Sequence, residues 1–272
     1  MKHLKFLLFA FVLQSCTTTY YQVCTVDSDI NIDENALIYS DSNCDIIYNL
    51  WGEGGNLDFI FVNKTDSELC LDMEHSFAIY NGMARDYYED TELSTSTSVN
   101  IASSKALMKS YNANITKYGY THSPYINTPT SIGGSVTASG LESTTTSIAK
   151  SNTVTKKTAK YIYIPAKAAK VIQSFTVAGA FFKRGNKKFD TPRRESELLE
   201  FNSENTPLLI RNNIKYTIKD ETFVVDNSFW INSIQNYAEH AIIKETPRGK
   251  IIEISSTPNV FYNKETISKG PF

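Results

Sequence analysis

The side chains able to do chemistry in this chain are carboxylates, histidines, serines and cysteines, and few of them fall at the spacings that chemistry requires. Asp41-Ser42-Asn43-Cys44-Asp45 opens like a calcium loop, D-x-N-x-D, but such a loop needs glycine at its sixth position and glutamate at its twelfth. Those positions hold Ile46 and Gly52, so the segment is read as a turn before a strand. His75, His122 and His240 lie far apart with no metal-pairing motif, and there is no C-x-x-C to suggest zinc or redox chemistry. Gly133-Gly134-Ser135-Val136-Thr137 lacks the closing glycine of a G-x-S-x-G nucleophile turn. Asp86, Glu89, Asp90 and Glu92 form an acidic cluster, and Glu53 sits in a glycine turn. Glycoside cleavage, however, depends on the separation of two carboxylates across a fold, which spacing along the chain does not give. Phosphate-loop and dinucleotide fingerprints are missing as well. The motifs therefore predict no catalytic residue, no metal site and no cofactor.

The N-terminus carries a more definite signal. Lys2, His3 and Lys5 make a basic start, Phe6 to Leu13 is an unbroken apolar run, and Leu13-Gln14-Ser15-Cys16 follows. That order defines an export signal. The run spans about 12 Å as a helix, well short of the ~30 Å of hydrocarbon that a membrane helix must cross. The Leu-x-Ser-Cys ending resembles the lipobox of bacterial lipoproteins. The resemblance implies cleavage before Cys16, a diacylglycerol on its sulfur and an acyl chain on its new amino group. Palmitate-length chains, two or three to a protein, hold stably at ~0.8 kcal/mol per buried CH₂. Thr17-Thr18-Thr19-Tyr20-Tyr21 has no acidic run. In the lipoproteins it resembles, such a run accompanies export to the surface, so its absence implies the outer membrane facing the periplasm.

The elements that would position any site read as β. Tyr (16) and Phe (15) are abundant, which suits strands with aromatic cross-strand pairs. Cys44–Trp51 and Leu57–Val62 are strand-like runs joined by Gly52-Glu53-Gly54-Gly55, and Glu68–Met73 alternates like a half-buried strand. Ser76–Tyr80, Asn81-Gly82 and Met83–Tyr87 read as a hairpin, because Asn-Gly tolerates the positive φ of a tight turn. Strand signals resume at Lys160–Ile164 and recur through Ala169–Val177, Leu208–Arg211, Lys215–Lys219, Thr222–Val225, Ser228–Ile234 and Lys250–Ser255. Trp230–His240 also admits a helical reading. Cys24, Cys44 and Cys70 permit one disulfide and leave one thiol over.

Residues 91–158 are dominated by Ser and Thr. Apart from Ile101–Tyr111, which reads as a helix turn or two, they hold too little apolar area to offset backbone ordering, roughly 1–2 kcal/mol per residue. From Ser131 to Thr155 the hydroxyls fall mainly on odd positions, as in the stems of pore-forming toxins. The even face carries Glu142, Lys150, Asn152 and Lys156, which lipid rejects.

The expected layout is a mainly β protein, a β-sandwich that is Ig-like in general architecture. Residues 1–15 are the signal peptide and 16–35 a lipidated tether. Residues 36–90 and 159–262 build one sandwich, 91–158 form a mobile insertion, and 263–272 a frayed tail. Two small β-domains joined by a linker are the alternative.

YNLWGEGGNLDFIFVNKTD (residues 48–66), its flanks from Tyr39 to Tyr88, the lipobox, the Ser/Thr-rich middle and DNSFWINSI (226–234) together resemble a family of Bacteroides-type lipoproteins with no assigned catalytic residue or ligand. The likeness implies the lipoprotein address. With a formal net charge of −2 and no basic block beyond the short basic, loop-like stretch Phe181–Glu195, nucleic acid is not an expected partner. The expected function is a non-enzymatic binding module, held on a membrane through lipid on Cys16 and engaging an envelope protein or polysaccharide. Loops at a sandwich end, Trp51–Gly55 among them, would form the contact. The rivals are an envelope hydrolase whose site converges only on folding, and a membrane-inserting protein that uses residues 91–158.

Overall fold

Along Thr17–Ser28, burial alternates from Gln22 onward: Gln22, Cys24 and Val26 point inward, while Val23 and Thr25 stay half exposed. This stretch is strand β1, and the computed structural model describes residues 17–88, 159–246 and 249–268 around it. The expected tether is thus corrected. Residues 17–28 are an interior strand, since Tyr20, Cys24 and Val26 at period-two spacing give it an apolar face to bury, with Gln22 between them satisfied by hydrogen bonds.

The chain continues through β2 (Asn31–Ile32), β3 (Leu37–Ser40), β4 (Cys44–Tyr48), β5 (Phe59–Asn63), β6 (Leu69–Tyr80) and β7 (Met83–Asp86). After residue 158 come β8 (Tyr161–Ile164), β9 (Ala169–Ile172), the single-turn helix α1 (Lys187–Asp190), β10 (Leu199–Glu200), β11 (Leu209–Ile218) and β12 (Glu221–Ala238). A second one-turn helix, α2 (Glu239–Ile242), leads into the β13 (Ile243–Thr246) and β14 (Gly249–Ile252) ribbon and then β15 (Val260–Ser268).

These strands make a mainly β, sandwich-like fold of curled antiparallel sheets. An eight-stranded sheet runs β15-β1-β12-β11-β6-β7, with β10 added beside β12 and β8 beside β6. A five-stranded sheet runs β2-β3-β4-β5-β9. Segments before and after residues 89–158 alternate within both sheets: β11 pairs β6, and β9 pairs β5.

The expected hairpin is present, with Asn81 at φ 46° and Gly82 at φ 84° between β6 and β7. Ser228–Ile234 and the Trp230–His240 stretch belong to one long strand up to Ala238, so the helical alternative for the latter does not hold. The expected frayed tail is corrected too. Asn263 to Ser268 continue β15 and pair with β1 from Gln22 to Thr17.

Core side chains come from both sheets, with Phe229, Tyr216 and Phe261 of the large sheet meeting Tyr48, Phe59 and Phe61 of the small one. Tyr48 stands edge-on to Phe229, centroids 5.0 Å apart, and Phe61 edge-on to Tyr216 at 5.5 Å. Each such side chain contributes roughly 1.5–3 kcal/mol by leaving water. Strands β4 and β5 are buried at every residue. Their second face joins Ile38, Ile47, Ile60 and Val62 into a separate aliphatic cluster.

Cys24, Cys44 and Cys70 are all free thiols, so no disulfide joins any two of them. Cys24 and Cys44 instead act as small apolar side chains in the core. Among the described residues, no helix is long and apolar enough to cross a membrane.

Candidate functional site

Strand β6 is shared between two edge partners. Its residues Leu69 to Asp72 pair with β8, and Phe77 to Tyr80 pair with β7. On its other side, β11 pairs Lys215 with Asp72 but Asn213 with Phe77, so residues 73–76 bulge opposite Ile214. Ser76 holds this bulge closed: its Oγ donates to the Asp72 carbonyl at 2.6 Å and accepts the Lys215 N–H at 3.0 Å.

The bulge gathers charges that are scattered in the sequence. His75 Nδ1 lies 2.8 Å from Asp72 Oδ2, Lys215 Nζ 3.4 Å from the same oxygen, and Lys160 Nζ 2.7 Å from Glu74 Oε2. The hydrogen bond to Glu74 raises the Lys160 pKa above its ordinary value. Ligand atoms of Asp72, Glu74 and His75 fall within 4.8 Å of one another, a donor set that suits a divalent cation. Each carboxylate already faces an ammonium, however, so the arrangement works as an ion-pair network that pins the bulge.

Beside it, β8 turns Ile162 and Ile164 toward the core and leaves Tyr161 and Tyr163 on the outer face, 44% and 55% exposed. Pairing registers extend this face into two rows: Tyr161–Asp72–Lys215–Val224 and Tyr163–Cys70–Thr217–Thr222. At ~4.8 Å per strand, each row covers roughly 14 Å. The Lys160 ammonium lies 5.6 Å from the Tyr161 ring centroid. The result is an outer face of exposed aromatic rings flanked by paired charges and hydroxyls.

The residues singled out from the sequence are placed differently. Asp41 Oδ1 accepts the backbone N–H groups of Asn43 and Cys44, both at 2.7 Å, and Asp45 Oδ1 takes the Lys64 ammonium at 2.9 Å. Asp41 thus caps a turn, and Asp45 is held in an ion pair. The Trp51–Gly55 loop is stapled to β15, with Gly54 N–H on the Tyr262 carbonyl and Tyr262 N–H on Gly52. Its Glu53 lines a shallow cleft of about 200 Å³ with Thr176, Phe181 and Asn263. That is smaller than the ~300–1,000 Å³ of ordinary small-molecule pockets. Asp86 is exposed at the end of β7, and His240 lies in α2. Cys16, Glu89, Asp90, Glu92, His122, the Gly133–Thr137 motif and the 131–155 hydroxyl pattern fall outside the described residues.

The sequence reading missed the Asp72–Glu74–His75 grouping, because Lys160 and Lys215 reach it only through sheet pairing. Tyr161-Ile162-Tyr163 was legible as alternation, but which pair faces outward was not.

Fold and surface thus define a sandwich-like β protein with an aromatic outer face. Comparison of the chain with protein families, with curated proteins and with solved structures found no match.

Proposed function

We propose that this protein is a lipid-anchored cell-envelope binding module, held by acyl chains on Cys16 at the periplasmic face of the outer membrane. Its outer face around Tyr161 and Tyr163 engages an envelope component. The exposed tyrosine pair carries this reading. On one strand face the two rings repeat at roughly 7 Å. They offer apolar area together with a polar tip, the combination enriched at recognition surfaces. Asp72, Lys215 and Thr217 supply donors and acceptors in the same rows. The export-like N-terminus and the lipobox-like Leu13–Cys16 support the address.

Cross-linking in the native envelope, followed by partner identification, tests the binding reading. Tyr161→Ala with Tyr163→Ala should remove the partner that the unaltered chain captures. Identical capture by the double variant, or turnover of an envelope polymer by purified protein, would sink it. Cys16→Ala should abolish lipid labelling and release the protein from membranes; an unchanged mass and membrane fraction would refute the anchor.

A further inference from the structure

The segment from Lys183 to Glu197 concentrates positive charge in an otherwise slightly acidic chain. It holds Lys183, Arg184, Lys187, Lys188, Arg193 and Arg194 against Asp190, Glu195 and Glu197. All six cations are exposed. Lys183 pairs with Glu265 and Arg184 with Glu197. Among the described residues, the other four have no carboxylate partner.

The loop is fixed where it stands. The Gln22 side chain donates to the Phe182 carbonyl at 2.9 Å and accepts the Phe182 N–H at 2.8 Å. Asn236 Nδ2 donates to the Phe189 carbonyl at 2.9 Å, and Ala238 N–H to the Arg194 carbonyl at 2.8 Å. Ala238 faces Tyr20 in the β1–β12 register, so Arg194 is level with Tyr20. Tyr20 is three residues along β1 from its first residue, Thr17, about 10 Å of strand. Pairing along β1 starts at Thr17, opposite Ser268, and Thr17 is the residue that follows Cys16 in the sequence.

We propose that this basic loop is a membrane contact, lying against anionic lipid head groups and setting the orientation of the sandwich on the bilayer. The proposal rests on the reading of Cys16 as a lipid anchor. Charge complementarity identifies the surface, because cations attract an anionic leaflet only within a Debye length, roughly 8–10 Å. An acyl anchor fastened directly to β1 holds the loop near that range. Acyl chains and a basic patch are the two signals that together give stable attachment.

The full lipidated chain, reconstituted in vesicles of phosphatidylcholine alone or of phosphatidylcholine with phosphatidylglycerol, provides the test. A water-soluble acylating reagent reports lysine exposure by peptide mass spectrometry. Lys187 and Lys188 should react several-fold more slowly on the phosphatidylglycerol vesicles, and high salt should remove that protection. Lys219, in the turn at the far end of β12, should react equally on both. In the variant Lys187→Glu, Lys188→Glu, Arg193→Glu, Arg194→Glu, the lipid-dependent protection of Lys183 should disappear. Equal rates on both vesicles for a chain that floats with both would overturn the docking and leave the anchor standing. Failure to float with phosphatidylcholine would refute the anchor. Salt-sensitive flotation with phosphatidylglycerol alone would then uphold the docking, and no flotation with either would overturn it.

Discussion

Tyr48 and Asn212 hydrogen-bond across the two sheets, Asn212 Nδ2 donating to the Tyr48 hydroxyl oxygen at 2.8 Å inside the core. Asn227 Nδ2 donates to the same oxygen at 2.8 Å, and the Tyr87 hydroxyl donates to Asn212 Oδ1 at 2.6 Å. Tyr48, Asn212 and Asn227 are all buried. A polar chain in so apolar a place is tolerated because its members satisfy one another.

Tyr48→Phe keeps the ring packing on Phe59 and Phe229 and removes the acceptor of two buried amides. Leaving a buried donor unpaired costs about 1–3 kcal/mol. The variant should therefore unfold in chemical denaturant with a loss of roughly 2–4 kcal/mol and an unchanged m-value. A midpoint equal to that of the unaltered chain would show that the amides find other partners.

Gly55 has φ +71°, and a Cβ built on it would lie 2.6 Å from Val177 Cβ and 3.0 Å from the Phe261 ring. Gly55→Ala combines left-handed strain of about 1–2 kcal/mol with overpacking of about 1–3 kcal/mol. Thermal unfolding should shift down by several degrees. The same substitution at Gly82, whose added Cβ meets nothing within 4 Å, should cost less. Equal shifts would argue against the close packing at Gly55.

Burial pushes the hydroxyl pKa values of Tyr48, Tyr87 and Tyr216 upward from the ordinary value of 10, and that of Tyr80 up to about 12. A raised folded pKa means that the native state holds protons that the unfolded chain gives up. The stabilisation is complete below pH about 10 and is lost as pH rises through the folded values. Stability should fall steeply above pH about 10, with one group of tyrosines ionising only as the chain unfolds. Reversible ionisation of all tyrosines near pH 10 with no loss of structure would contradict this.

Replacing residues 17–28 with a Gly/Ser linker should abolish cooperative unfolding. It deletes the strand between β12 and β15 and the burial of Tyr20, Tyr21, Cys24 and Val26. At roughly 1.5–3 kcal/mol per large side chain, that loss rivals the 5–15 kcal/mol of a typical domain. A variant that melts like the original chain would return these residues to the role of a tether.

The error over β1 shows where sequence legibility stops. Tyr20, Gln22, Cys24 and Val26 alternate, but Gln22 looks like a surface residue. It is buried because Asn236 and the Phe182 backbone, distant in sequence, complete its hydrogen bonds. The turn chemistry of Asn81-Gly82 and the strands from Cys44 to Val62 were readable, because their causes are local. The bulge at residues 73–76 and its ion pairs were not. Their cause is the pairing of β6 with three other strands.

That pairing also shapes how the chain can vary. Residues 89–158 leave after β7 and return before β8, and both strands are docked on β6, from Asp86 opposite Phe77 to Tyr161 opposite Asp72. Along the partner strand β11 the two ends are Lys215 and Asn213, two residues and about 7 Å apart, because residues 73–76 bulge out between them. Closing a loop across a fixed base costs only about 0.6 kcal/mol for each doubling of its length. The β6 edge is therefore a socket into which sequence of very different length can be spliced while the ladder on either side keeps its register.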